Sequence, residues 1–336
     1  VEAIPAFLYF ILLFMVPRSP RWLIQRLGLV DIAEQTLIKI GGPDYASFTI
    51  AEIQKGIAKK EVKGTFAQLF DNRMRTIMII ALGIAFFQQI TGINAIFYYA
   101  PTIFEQAGGS TDSSFLQAIV VGLTNLVFTL VAIRFIDRLG RKPLLIIGTA
   151  TMAIALSLST LAFSNATYTI NIDNLENIAN TETKTALTSL EDQSYNSQKD
   201  LFNSVASVLD EDQLYEFKRG DAKQFISINA TLVLIAILLY VAAFAISLGP
   251  VMWTLLSEIF PSNIKGIAIS VVGFFNSLVS YTVTQFFPWE LTNLGPTMTF
   301  AIYAIMAVLS LLFVMRYVIE TKGKSLEEVE ELLVRH

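Results

Sequence analysis

An all-α polytopic membrane fold is what this 336-residue sequence predicts, and three observations predict it. Apolar residues make up 54% of the chain and charged residues only 15%, with a mean hydropathy of +0.57; a soluble domain carries roughly a quarter charged residues. The charges are clumped, leaving long stretches with none. Six segments reach the roughly 20 residues that a membrane helix needs, at about 76–104, 115–136, 143–163, 226–253, 266–288 and 297–318.

Taken in order, VEAIPAFLYFILLFMV at 1–16 is short of a full span, and its Glu2 and lack of Lys or Arg exclude a signal peptide. The chain is therefore expected to begin inside a helix and to be a fragment. Residues 17–75 carry ten Lys/Arg, the turn at 134–142 carries four and the tail after 315 carries four, whereas the connections 105–114 and 289–296 carry none. The positive-inside rule places the basic set in the cytoplasm and the empty set outside. Residues 164–225 form an external insert with eleven Asp/Glu against five Lys/Arg. Within it, apolar positions 201, 205, 208 and 209 of LFNSVASVLDEDQLYEF fit one helical stripe, predicting a small helical cap. Asn165-Ala-Thr167 has the form of a glycosylation sequon and reads as chance.

Several chemistries are excluded. There is no cysteine, hence no disulfide or thiolate metal site, and the only histidine is the terminal His336. The net charge of −4 argues against a nucleic-acid partner.

The chemistry that remains is concentrated in FFQQITGINAIFYY at 86–99. On an ideal helix Gln88, Gln89, Gly92, Ile96 and Tyr99 share an arc of about 100°, while Asn94 and Tyr98 fall roughly 120–140° away from the glutamines. A straight helix cannot aim all three amides at one cavity. A helix that loosens at Gly92 can, and discontinuous helices near the bilayer midplane are a recurring way to build a transport site. Each amide offers donor and acceptor, as does each hydroxyl of a neutral polyol. The plain alternative is hydrogen bonding between helices, but three amides within seven residues favour a cavity. Asn125 and Asn276 lie mid-span, and Trp253 follows Gly249-Pro250, a pair expected to break its helix.

With these residues in view, the chain resembles the sugar porters of the major facilitator superfamily, which include sugar/proton symporters and facilitative glucose transporters. The resemblance is carried by VPRSPRWL at 16–23, QQITGIN at 88–94, FYYAPTIF at 97–104, DRLGRK at 137–142, GPVMWTLLSEIFP at 249–261 and ETKGKS at 320–325, in family order. It implies a fold of two six-helix bundles, of which this chain would be the C-terminal half. Residues 1–16 would end transmembrane helix 6, 17–75 would be a cytoplasmic helical linker domain, 76–318 the second bundle with its 164–225 insert, and 319–336 a cytoplasmic tail. The same resemblance implies sugar contact by Gln88, Gln89, Asn94, Asn125, Trp253 and Asn276, and an outer gate lined by Tyr98 and Tyr99. It also implies a cytoplasmic charge network of Arg21, Asp137, Arg138, Arg141, Glu258, Lys265 and Glu320 that closes the inner side. The sequence departs from the family pattern at Arg18, Ile319 and Lys265, and at Ser277 and Ser280, where Trp and Asn are common.

The implied function is transport of a monosaccharide by alternating access, as a sugar/proton symporter; a facilitative uniporter and a non-transporting sugar sensor on the same fold are the alternatives. A sensor is expected to have a long signalling tail, and only 18 residues follow 318. No span carries an acid/base pair or a metal cluster, so no enzyme activity, cofactor or metal is expected. The expected partners are a monosaccharide, a coupling proton, the lipid bilayer and an N-terminal bundle in the same full-length chain. The expected location is the plasma membrane, or the inner membrane of a Gram-negative cell, as a multi-pass protein.

Overall fold

The computed structural model describes all residues except 1–2, 59–64, 108–110, 177, 179, 196, 218–220, 262, 325–327 and 330–336, so the expectations resting on Ser325 and His336 lie outside the described residues. It divides into two units, residues 1–65 and 66–336.

In the first unit, α1 (Ala3–Leu13) exposes every side chain from residue 6 to residue 13, as a helix surrounded by lipid would. The single turn α2 (Pro20–Trp22) starts with Pro at its first position, where the missing N–H costs nothing. A wide turn at Leu23–Leu27 follows and closes on Gly28 in the left-handed region. Helix α3 (Val30–Ala58) is broken at Gly42, because Pro43 cannot donate to the preceding turn. Leu23, Ile24, Ala33 and Ile53 form the small core of this unit.

Among the described residues, the second unit contains six helical segments long and apolar enough to span a membrane. The first is two helices, α4 (Arg75–Ile90) and α5 (Ile93–Gln106), entered through 3₁₀ turns at Phe66–Phe70 and Asn72–Met74. Next come α6 (Thr111–Leu139) and α7 (Arg141–Ser164). The insert between the third and fourth spans holds β1 (Thr167–Thr169), α8 (Ile172–Glu176), α9 (Thr181–Leu187), β2 (Ser194–Tyr195), α10 (Gln198–Ala206), α11 (Glu211–Glu216) and β3 (Ile226–Ser227). The fourth span is again split, into α12 (Ala230–Ile246) and α13 (Leu248–Ile259), and α14 (Lys265–Asn293) and α15 (Gly295–Tyr317) complete the bundle. All six expected spans are present, with ends displaced by up to six residues.

Helix α7 packs against both α15 and α12, α4 against α14 and α15, and α5 against α6. Two glycines permit the closest approaches. Gly148 of α7 lies directly on the Ser247 hydroxyl, and Gly83 of α4 on the Phe313 ring, so a Cβ at either would overlap its neighbour. Burial is uneven: 61% of the α12–α13 window is inside the unit and only 11% of the α6 window. Helix α6 therefore presents most of its surface to lipid or to another apolar body.

The insert has its own core of Leu175, Leu187, Leu201, Val205, Phe217 and Phe225 with neighbours. It is more than a helical cap, for β1 is the centre of a three-stranded antiparallel sheet, pairing Tyr168 with Tyr195 on one side and Ile226 on the other. Burial pushes the Tyr168 phenol above its ordinary range. The helical segment expected within 201–217 is formed by two helices, α10 and α11. Asp210 accepts from the Gln213 N–H at 2.7 Å while the Gln213 side chain accepts from Asp210 N, a capping box that starts α11 afresh. The expected apolar stripe still points inward at Leu201, Val205 and Leu209.

Candidate functional site

Two helix breaks face each other and build the site. Gly92 takes a left-handed backbone (φ 92°), ending α4 and restarting α5 as the sequence predicts. A side chain there would also meet the Tyr303 ring, 2.8 Å from its Cδ2. The Thr91 carbonyl, freed by the break, accepts from the buried Tyr240 hydroxyl at 2.9 Å. The second break falls at Ser247 rather than at Gly249-Pro250, which sit in the first turn of α13. Pro250 acts one turn upstream: its ring excludes the carbonyl four residues earlier, that of Ile246, so the chain leaves the helix immediately after it.

Gln88 bridges the two breaks. Its Nε2 donates to the Leu248 carbonyl at 2.9 Å and the Gly249 carbonyl at 3.3 Å. Its Oε1 accepts from Gln89 Nε2 at 3.2 Å and from Asn276 Nδ2 at 2.9 Å. Gln89 Nε2 also donates to Asn276 Oδ1 at 3.1 Å, and Asn276 Nδ2 to the Ala85 carbonyl at 2.9 Å. Asn94 Nδ2 donates to Gln89 Oε1 at 2.9 Å and to Ser280 Oγ at 2.6 Å. Four amides and a hydroxyl from α4, α5 and α14 thus form one connected network, with Gln88, Gln89 and Asn276 buried.

The network forms one wall of a cavity of about 400 Å³, within the usual range for small-molecule sites of roughly 300–1,000 Å³. All six residues expected at the site line it: Gln88, Gln89, Asn94, Asn125, Trp253 and Asn276. Phe97, Thr129 and Phe244 also line it and were not legible in advance, since nothing in their sequence surroundings distinguishes them from packing residues. Asn125 makes no hydrogen bond to a described residue, and Trp253 keeps 46% of its surface exposed. The cavity therefore combines an apolar floor with acceptors and donors that converge on it, and it carries no charged side chain.

The tyrosine pair diverges. Tyr99 stacks at 5.3 Å on Phe287, which stacks in turn on Tyr303, whose hydroxyl donates to Glu290 Oε2 at 2.9 Å. Tyr98 points away from this cluster and is 69% exposed.

At the basic end, Arg141 is the hub. Its Nη2 donates to Glu258 Oε1 at 2.7 Å and Asp137 Oδ1 at 3.0 Å, its Nε to both Glu258 oxygens at 3.1 Å, and its Nη1 to the Ile136 carbonyl at 3.2 Å. Glu320 caps α7 from outside, accepting from Arg141 N and Lys142 N at 3.1 Å each; a carboxylate at a helix N-terminus also complements the helix dipole. Gly140, immediately before, has no room for a side chain beside this carboxylate. Thr321 adds a 2.6 Å bond to Glu258. Among the described residues Arg138 enters only through its carbonyl, which accepts from Lys322 Nζ at 2.6 Å, its own side chain being exposed. Lys265 opens α14, and Arg21 belongs to the first unit.

Comparison with known proteins agrees with this architecture. The family model described as "Sugar (and other) transporter" matches residues 1–174 and 215–333, passing over the middle of the insert. The D-xylose-proton symporter of Escherichia coli (strain K12) is 35% identical over 98% of this chain and 55% of its own length. The arabinose-proton symporter of Bacillus subtilis (strain 168) is 30% identical over 99% of this chain and 58% of its own. The chain thus spans just over half the length of these curated relatives. A solved structure of a proton:xylose symporter bound to 6-bromo-6-deoxy-D-glucose superposes with a TM-score of 0.67, at 34% identity over 99% of this chain and 57% of that one. An inward-open structure of the Escherichia coli xylose transporter gives 0.56, at 33% identity over 98% of this chain and 55% of that one. On the family match and these likenesses, the chain belongs to the sugar transporter family of the major facilitator superfamily, a family of multi-pass membrane carriers and not of enzymes.

Proposed function

We propose that this chain forms the sugar-binding bundle of a carrier that moves a monosaccharide across the membrane by alternating access, coupled to a proton. The observation that carries the reading is the uncharged amide network lining the cavity at two facing helix breaks. A neutral polyhydroxylated ligand matches amides because every hydroxyl both donates and accepts. An ionic substrate would call for a charged partner in the wall. Relatives described as xylose-proton and arabinose-proton symporters support a pentose and proton coupling, and the relative bound to 6-bromo-6-deoxy-D-glucose supports a hexose. Gln88, Gln89, Asn94, Asn125, Trp253 and Asn276 hold the sugar in this reading. Tyr99, with its Phe287 and Tyr303 stack, closes the outer side in this reading, without Tyr98.

The Arg141–Glu258–Asp137 cluster, with the Glu320 cap, is the lock of the basic side. It is engaged in this conformation. The bundle rocks against a second bundle, supplied by the portion of such carriers that this chain does not span.

The test is uptake by the full-length protein in proteoliposomes. Accumulation of labelled xylose, arabinose or glucose above the equilibrium level, driven by an inward proton gradient and abolished by a protonophore, is the expected result. Saturable uptake that never exceeds equilibrium would favour the uniporter, and binding without uptake would favour the sensor.

A further inference from the structure

We infer that Thr129 contacts a sugar hydroxyl and that, with Asn125 one turn away on α6, it supplies hydrogen-bond donors that the amide network lacks. The inference rests on the reading of the cavity as a sugar site.

A threonine inside a membrane helix ordinarily returns its hydroxyl to the carbonyl one turn back. Thr124 does so on the same helix, donating to the Val120 carbonyl at 2.8 Å. Thr151, Thr160, Thr254, Thr282 and Thr284 do the same on α7, α13 and α14. Thr129 departs from this pattern. Its hydroxyl makes no hydrogen bond among the described residues, although Thr129 lies well inside α6 and lines the cavity. A hydroxyl without a partner in apolar surroundings is costly. Asn125 lines the same cavity, also without a partner among the described residues. Residues four apart share one face of a helix, so the amide and the hydroxyl form a polar strip. The exposed side chains beside them, Leu126, Val127 and Leu130, are apolar. Among the described residues, sealed polar side-chain atoms without a partner occur only at Gln106, Ser114, Gln224 and Ser310. The free polar atoms of Asn125 and Thr129 are therefore open, with the cavity in front of them.

The amide network has no proton left for a ligand. Each amide nitrogen carries two. Those of Gln88 go to the Leu248 and Gly249 carbonyls, and those of Gln89 to Gln88 Oε1 and Asn276 Oδ1. Those of Asn94 go to Gln89 Oε1 and Ser280 Oγ, and those of Asn276 to the Ala85 carbonyl and Gln88 Oε1. A sugar oxygen that accepts must find its donor elsewhere in the lining. Within this chain the Asn125 amide, the Thr129 hydroxyl and the Trp253 indole N–H have no described partner.

The test measures binding of xylose, arabinose and glucose, and of the monodeoxy analogues of whichever binds most tightly, to the full-length protein and its Thr129→Val variant. Valine keeps the shape and removes only the hydroxyl. Affinity should fall about fivefold, within the worth of one neutral hydrogen bond. The melting temperature of the sugar-free protein should not fall, since no internal bond is lost. One deoxy analogue, lacking the hydroxyl that Thr129 meets, should bind the natural and Val proteins alike, while the others keep the fivefold difference. Thr124→Val, on the same helix but away from the cavity lining, should leave affinity unchanged. Unchanged affinity in Thr129→Val, or a loss of equal size for every analogue, would overturn the contact while leaving the sugar site standing. An equal loss in Thr124→Val would overturn it too, assigning the effect to the packing of α6. Failure of the natural protein to bind any monosaccharide would overturn the site reading and this inference with it.

Discussion

The Gln88 amide donates to the carbonyls of Leu248 and Gly249 at 2.9 and 3.3 Å, so one side chain on the first broken helix is tied to the first turn of the helix that follows the second break. The residue read from sequence as a ligand contact is thus also the tie between the two breaks, and its substitution should be felt in both roles.

Gln88→Ala removes two donors and an acceptor shared by Gln89 and Asn276. Sugar binding should weaken by roughly 1–3 kcal/mol, the cost of leaving buried polar partners unmatched. The melting temperature of the sugar-free protein should fall as well. Binding assays and thermal unfolding of purified full-length protein check both, and an unchanged melting temperature would show that the tie to Leu248 and Gly249 is dispensable.

Gly92→Ala should destabilise the protein through two separable effects. A left-handed backbone costs a non-glycine residue about 1–2 kcal/mol, and the new Cβ would press on the Tyr303 ring. Measured in a Tyr303→Ala background, the substitution should cost less, because the overlap is gone while the backbone strain stays. A double-mutant cycle reads the difference; identical costs in the two backgrounds would assign the whole effect to backbone strain.

Glu258→Gln should weaken the closed inner side. The Arg141 side chain is 10% exposed and that of Glu258 25%, so the loss should be roughly 2–3 kcal/mol, below the 3–5 kcal/mol of a fully buried pair. Spin labels on the basic ends of the bundle and of the rest of the carrier should report a population shifted toward larger separations. Arg141→Lys should shift it less, since charge survives while the paired geometry is lost. Distance distributions unchanged in Glu258→Gln would refute the lock.

Replacing residues 167–227 with a short flexible linker should leave the bundle folded. The insert buries its own core, and α7 and α12, which flank it, pack directly on each other. Sugar binding should stay within about twofold of the natural protein, since none of the described insert residues lines the cavity. Loss of binding with an intact melting transition would reveal a contribution of the insert to the site.

Much of this was legible in the sequence because the bilayer imposes length and composition on every span. The six helices, their order and the break at Gly92 follow from hydropathy and from glycine's freedom to adopt a positive φ. So do the polar residues of the cavity, since an amide in an apolar run must have a reason to be there. Folding decided what those amides bind. Period and spacing cannot say that Gln88 reaches Leu248, 160 residues away, or that Asn94 meets Ser280. Nor can they say that Phe97, Thr129 and Phe244 turn toward the cavity while Tyr98 turns away. The displacement of the second break to Ser247 and the splitting of the insert helix at Asp210 were local events, decided by a proline ring and a capping box acting against the wider pattern. Apolar periodicity states which residues must leave water. Only packed helices, with every donor finding one acceptor among many, determine which end of each amide is left for a ligand.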